Sequence, residues 1–183
     1  MFNRLKKIIL VCCFAAVSWS GYGMEVIDLT NPASKSLATQ YPDYEMVVMA
    51  SFTDSKDDFA TFYLIKNKSV QKADVMFMLK IATSKGGKQK VYIVAEEEQC
   101  SEMAPDYSES FVLKVSNQNV KFRAYCHKDN ELYLYAQTGQ GESFMLDQLL
   151  SKKFVRIDVN DLPVIFKTDG FKNAWDSFGG DAL

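Results

Sequence analysis

One histidine, His127, occurs among the 183 residues, so a Ser-His-Asp or Cys-His nucleophilic mechanism would have to pass through it. It stands in the polar stretch HKDN directly after Cys126 and reads as a solvated turn residue. The same scarcity argues against zinc, whose sites draw on several His or Cys ligands. Carboxylates remain as groups able to do acid–base work. A hydrolase built on them needs two acids converging in a cleft, and strand-end acids such as Asp158 find no partner by spacing. The expectation is a noncatalytic chain that needs no cofactor and no metal.

Negative charge is concentrated around Cys100, where Glu96, Glu97, Glu98, Glu102 and Asp106 follow a strand-like run. Such a loop could hold a cation or meet a basic protein, and a crosslink would limit the entropy lost on docking. No EF-hand spacing is present. The plain alternative is a solvated loop that aids solubility. Tyr133 and Tyr135 share one face of a strand, and Tyr125 falls on a neighbouring one. They form either an aromatic patch suited to a partner or glycan, or a face covered by a helix or by the N-terminal arm. The candidate partner-binding residues are therefore Glu96, Glu97, Glu98, Glu102, Tyr125, Tyr133 and Tyr135. Met46, Met49, Met76 and Met78 read as adaptable core packing rather than a metal cluster.

These residues belong to an exported chain on the pattern of its first 23 positions. Arg4, Lys6 and Lys7 precede the apolar run IILVCCFAAV, and small and polar residues follow, which is the order of a secretory signal peptide. The apolar run is too short for a spanning helix of about 20 residues. Cleavage fits after Ser20 or after Gly23. Val11 before Cys12 argues against a lipid anchor, so Cys12 and Cys13 leave with the signal. Removing residues 1–23 takes away three bases and no acids, which changes the count from 21 against 23 to 18 against 23, a net charge of 18 − 23 = −5. That balance excludes a nucleic-acid partner by charge. The two remaining cysteines, Cys100 and Cys126, read as one disulfide in an oxidising compartment. Closing a loop of that length contributes about 3–4 kcal/mol.

The mature chain begins with an extended arm, 24–45, containing Pro32, Pro42 and one short helical turn. From 46 to 183 it reads as a single β-rich domain. Short runs rich in aromatic and β-branched residues (MVVMASF, FATFYLI, VMFMLKIA, KVYIVA, FVLKV) alternate with polar turns. In residues 120–126, Val120, Phe122, Ala124 and Cys126 alternate with Lys121, Arg123 and Tyr125, which places Cys126 on the apolar face. TGQGE breaks the chain after ELYLYA, and Ser143 is the expected N-cap of a short helix ending at Lys153. FVRIDV and LPVIFKT follow, the latter an edge strand or one that starts at Pro163, because proline cannot donate to a ladder. Asp169 is the expected cap of a last helix carrying Phe171, Ala174, Trp175 and Phe178. Eight or nine strands and two short helices predict an antiparallel β-sandwich or flattened barrel.

The order of features from Phe111 to Trp175 resembles the invasion-associated locus B family of exported bacterial proteins. A strand pair ends in a cysteine (FVLKVSNQNVKFRAYC), a short helix follows (FMLDQLL), then two strands (FVRIDVNDLPVIF) and a closing GFKNAW. The resemblance covers about 65 residues and implies a β-sandwich with an extracytoplasmic role. The family's early tryptophan strand and additional cysteines are not found in the mature first half of this sequence, so no site residue carries over from it.

The functional expectation is a noncatalytic periplasmic protein-interaction module, free of any membrane anchor after cleavage, that meets an envelope protein partner with basic surface. An acidic, disulfide-closed exported domain also suits an inhibitor of a cationic wall-degrading enzyme such as lysozyme. A carboxylate hydrolase is the third reading.

Overall fold

The computed structural model describes residues 23–52, 58–67, 73–97, 100, 108–126 and 130–179. Residues 1–22 with Cys12 and Cys13, which hold nearly all of the expected export signal, the loop acids Glu98, Glu102 and Asp106, and His127 lie outside these residues.

Among the described residues, ten strands form one antiparallel sheet. They are β1 (Glu25–Asp28), β2 (Met46–Met49), β3 (Phe59–Ile65), β4 (Val75–Thr83), β5 (Gln89–Glu96), β6 (Ser108–Val115), β7 (Gln118–Cys126), β8 (Glu131–Ala136), β9 (Phe154–Val159) and β10 (Leu162–Lys167). Their order in space is β1-β2-β3-β4-β5-β8-β7-β6-β9-β10. Three short helices accompany them, α1 (Lys35–Ala38), α2 (Gly139–Ser151) and α3 (Phe171–Ser177). The chain thus has the mainly β, antiparallel architecture that its alternating runs predict, with ten strands where eight or nine are expected and with α1 as the short helical turn of the arm.

The sheet bends over a single core. Inward residues from both of its halves meet there, including Val47, Phe62, Leu79 and Ile93 from one half and Phe122, Ile157 and Phe166 from the other. The sheet is not closed, because β1 and β10 remain as edges. Side chains span the seam instead. The Tyr41 hydroxyl donates to the Pro163 carbonyl, and Lys167 of β10 lies 3.7 Å from Glu25 of β1 and 3.8 Å from Asp169. Pro163 sits on the edge strand, where a missing donor costs nothing.

Segment 24–45 is woven into this arrangement. It supplies β1, which pairs with β2, and sends Leu29 and Tyr41 into the core. The run EVID hides its strand because only four residues pair and two of them are acids.

Two helix starts differ from expectation. Thr138, not Ser143, caps α2, its Oγ1 accepting from the Gly141 N–H at 3.1 Å. TGQGE is therefore the first turn of the helix and not a break. Glycine is needed because a Cβ on Gly141 would stand 2.8 Å from Val120 Cγ1, so the helix enters in close contact with β7. At α3 the cap is Gly170, not Asp169, with φ 83°. A Cβ there would lie 2.6 Å from the Phe52 carbonyl oxygen.

Candidate functional site

Strands β5, β8 and β7 are neighbours at the centre of the sheet, and their alternation decides what faces outward. Val91, Ile93, Leu134, Phe122 and Ala124 point into the core. The intervening positions carry tyrosines. Val94 pairs with Tyr133, and Tyr133 with Tyr125, so Tyr92, Tyr125, Tyr133 and Tyr135 gather on the outer face. Tyr92 lies 5.6 Å from Tyr133, 6.0 Å from Tyr135 and 6.4 Å from Tyr125 between ring centroids, mostly edge to face. Edge-to-face pairs place the positive ring edge on the negative face of the neighbour.

The four rings shelter one another. Tyr92 and Tyr133 are buried, at 5% and 7% exposure, in one cluster with Val94, and Met78 and Ala82 pack against it. Tyr125 and Tyr135 are half-buried and form the accessible part of the cluster. Tyr125, Tyr133 and Tyr135 pack against one another on one sheet face, and Tyr135 also borders the helices α2 and α3. Tyr92 was not foreseen. Its place in KVYIVA shows that it points opposite to Val91 and Ile93, but only the β5–β8 pairing brings it to the other three.

Burial raises three of these phenols, Tyr92, Tyr125 and Tyr133. It pushes Tyr125 up from 10 to about 12, with the neighbouring phenols Tyr92, Tyr133 and Tyr135 adding to the shift. Tyr92 is raised by burial first and by the same crowding. Tyr133 is raised by burial, against the pull of Lys80 and with a contribution from Glu131. Neutral phenols keep both a donor and an acceptor for a partner.

Charges surround the rings in a defined order. Lys80 pairs in register with Tyr92, and its Nζ is 3.5 Å from the Tyr133 hydroxyl. Lys90 Nζ lies 5.5 Å from the centre of the Tyr135 ring and 2.7 Å from Glu142 of α2. Arg123 stands opposite Tyr135 and donates to Ser108 at 2.8 Å, and Lys121 is exposed two residues before it. At the other end of the same strands Glu96 and Glu131 face each other in register. The face runs from cations through tyrosines to a pair of acids.

Glu97 ties the acidic loop to this edge. Its N–H donates to the Asn130 carbonyl at 2.7 Å, and its carbonyl accepts from the Cys100 N–H at 3.0 Å. Cys100 is bonded to Cys126 at the end of β7, with Cα atoms 5.2 Å apart. The expected disulfide is formed, and it anchors the start of the loop beside β8. Glu96 thus lies at the end of the tyrosine face, in register with Glu131 two residues before Tyr133.

Beside Tyr135 a cleft of ≈ 70 Å³ opens between β5, β8 and the two longer helices, walled by Val91, Met145, Leu146 and Trp175. Its carboxylate is Glu142, already engaged by Lys90. Asp158 accepts from Arg156 Nε at 2.6 Å. Among the described residues, no three His, Cys, Asp or Glu side chains gather as a metal site. No family model, curated protein or solved structure matches the chain.

Proposed function

We propose that this chain is an exported, noncatalytic protein-interaction module of the cell envelope, and that its binding surface is the outer face of β5, β8 and β7. The observation that carries the reading is the cluster of four tyrosines on an outward sheet face. Outward positions of an antiparallel sheet normally meet water and carry polar side chains, and tyrosine concentrates at interface hot spots because a large rigid ring and a polar tip coincide. The signal-like first 23 residues and the likeness to the invasion-associated locus B family support an extracytoplasmic setting, in which the disulfide would persist. The partner is an envelope protein whose basic groups meet Glu96, Glu97 and Glu131.

The test is crosslinked capture from envelope extract, with the native chain beside a Tyr125→Ser/Tyr135→Ser variant of the same fold. A partner retained by the native face and lost by the variant supports the reading. Equal recovery by both places binding elsewhere, and no recovery by either removes the proposal.

The acid pair Glu96 and Glu131 also favours a narrower version, an inhibitor of a cationic wall-degrading enzyme. Two carboxylates opposed across strands repel each other, and a lysine or arginine of such an enzyme would relieve that repulsion. Lysozyme hydrolysis unchanged by the purified chain at low salt would dispose of this version.

A further inference from the structure

We infer that this chain carries a second binding site, for a pyranose sugar, in the cleft between the β6–β7 turn, α2 and the start of β9. The inference goes beyond the interaction reading above, and the cleft shares no residue with the tyrosine face.

The cleft has a volume of ≈ 290 Å³, near the lower end of the roughly 300–1,000 Å³ of small-molecule sites. Its walls combine two chemistries. Phe144 of α2 and Phe154 of β9 supply phenyl rings, and Asn117, Gln118 and Gln148 supply carboxamides. Phe144 and Gln148 are four residues apart on α2 and so share a helix face. Phe154 is 45% exposed, although Val155 beside it is fully buried. Asn117 and Gln118 are exposed. Gln148 engages only its Oε1, which accepts from the Ser116 hydroxyl at 3.1 Å and leaves the Nε2 protons for a ligand.

The turn is held in place against its own strain. Ser116 has φ 53°, a left-handed backbone that residues other than glycine rarely adopt. Its N–H donates to the Arg156 carbonyl at 2.7 Å, and its hydroxyl to Gln148. β9 and α2 together therefore fix the turn that carries Asn117. Strain maintained in this way concentrates at binding positions, and a cleft formed in advance loses little freedom when it is filled.

A pyranose suits both walls. Its C–H groups carry slight positive charge and are attracted to the negative face of a phenyl ring. Its hydroxyls each donate and accept, and a carboxamide offers a partner for both. An apolar ligand would strip water from three amides without replacing their hydrogen bonds. A phosphate would call for several bases, whereas the lining holds one charge, Lys152.

The test is a titration of the chain, disulfide intact, followed by two-dimensional NMR of its backbone and side-chain amides. The probes are two neutral sugars, the trimer of N-acetylglucosamine and cellotriose, up to a concentration on the order of 10 mM. At least one is expected to bind with a Kd on the order of 1 mM, shifting the side-chain amides of Asn117, Gln118 and Gln148, with little dependence on salt. Phe154→Ala and Asn117→Ala/Gln118→Ala alter exposed side chains and are each expected to weaken binding about fivefold or more. Tyr125→Ser/Tyr135→Ser is expected to bind sugar as the native chain does. No shift with either probe overturns the inference, as do shifts confined to residues outside the cleft. An affinity indifferent to both cleft variants overturns it too. A steep fall with salt would make Lys152 the binding group, and loss of binding in the tyrosine variant would move the sugar to the other face. Either result overturns the assignment.

Discussion

The Tyr41 hydroxyl donates to the carbonyl of Pro163, 122 residues further along the chain. The bond joins the segment before β2 to the edge strand β10, across a sheet whose backbone ladder stops at both ends. Tyr41 is fully buried, so this donor has no water to fall back on. Tyr41→Phe keeps the ring against Phe62 and removes only the bond. It is expected to cost about 1–2 kcal/mol, read as a lower urea midpoint at unchanged slope.

Alkaline pH is expected to unfold the protein through the same kind of group. Tyr41 and Tyr125 are each pushed up from 10 to about 12, in both cases mainly by burial. Between those two values the unfolded chain has released these protons while the folded chain still holds them. Stability is therefore complete below pH 10 and falls as pH rises toward 12. Phenolate absorbance followed beside far-UV ellipticity is expected to show the buried tyrosines ionising together with loss of the sheet.

The Cys100–Cys126 bond closes a loop with a sequence separation of 26 residues. Replacing both cysteines by alanine is expected to cost about 3 kcal/mol, and reductant should produce a similar loss in the native chain. Thermal unfolding with and without reductant measures it.

Gly170 combines φ 83° with the Phe52 carbonyl directly in the path of a side chain. Gly170→Ala is expected to destabilise by about 1–3 kcal/mol. Because Phe52 packs on Phe171 at 5.0 Å, near-UV ellipticity should change along with the melting temperature.

Glu96 stands opposite Glu131 in register, and like charges so placed across strands are destabilising. Glu96→Lys turns a repelling pair into an attracting one and is expected to add a few tenths to about 1 kcal/mol. A variant that melts higher yet binds less would separate the role of this acid in docking from any role in folding.

Strand alternation made much of this architecture legible in advance. Val120, Phe122, Ala124 and Cys126 showed their common face because a period of two is written into the order of residues. The two cysteines that remain once residues 1–23 are set aside likewise pointed to the bond that forms. Helix starts were harder to read. Gly141 and Gly170 look like breakers, and their value lies in contacts with Val120 and Phe52 that no local pattern contains.

Residue order alone determined which side chains point together along each strand, hence the β class, the inward cysteine and the tyrosine pair of β8. Tertiary structure decided which strands are neighbours. β5 lies beside β8 although β6 and β7 intervene in the chain, and that pairing gathers Tyr92 with three other tyrosines and sets Glu96 against Glu131. The reason is physical. The strand period is local, fixed by two dihedrals per residue, whereas the order of strands follows from burying all the inward faces in one core, a condition that only the whole chain can meet.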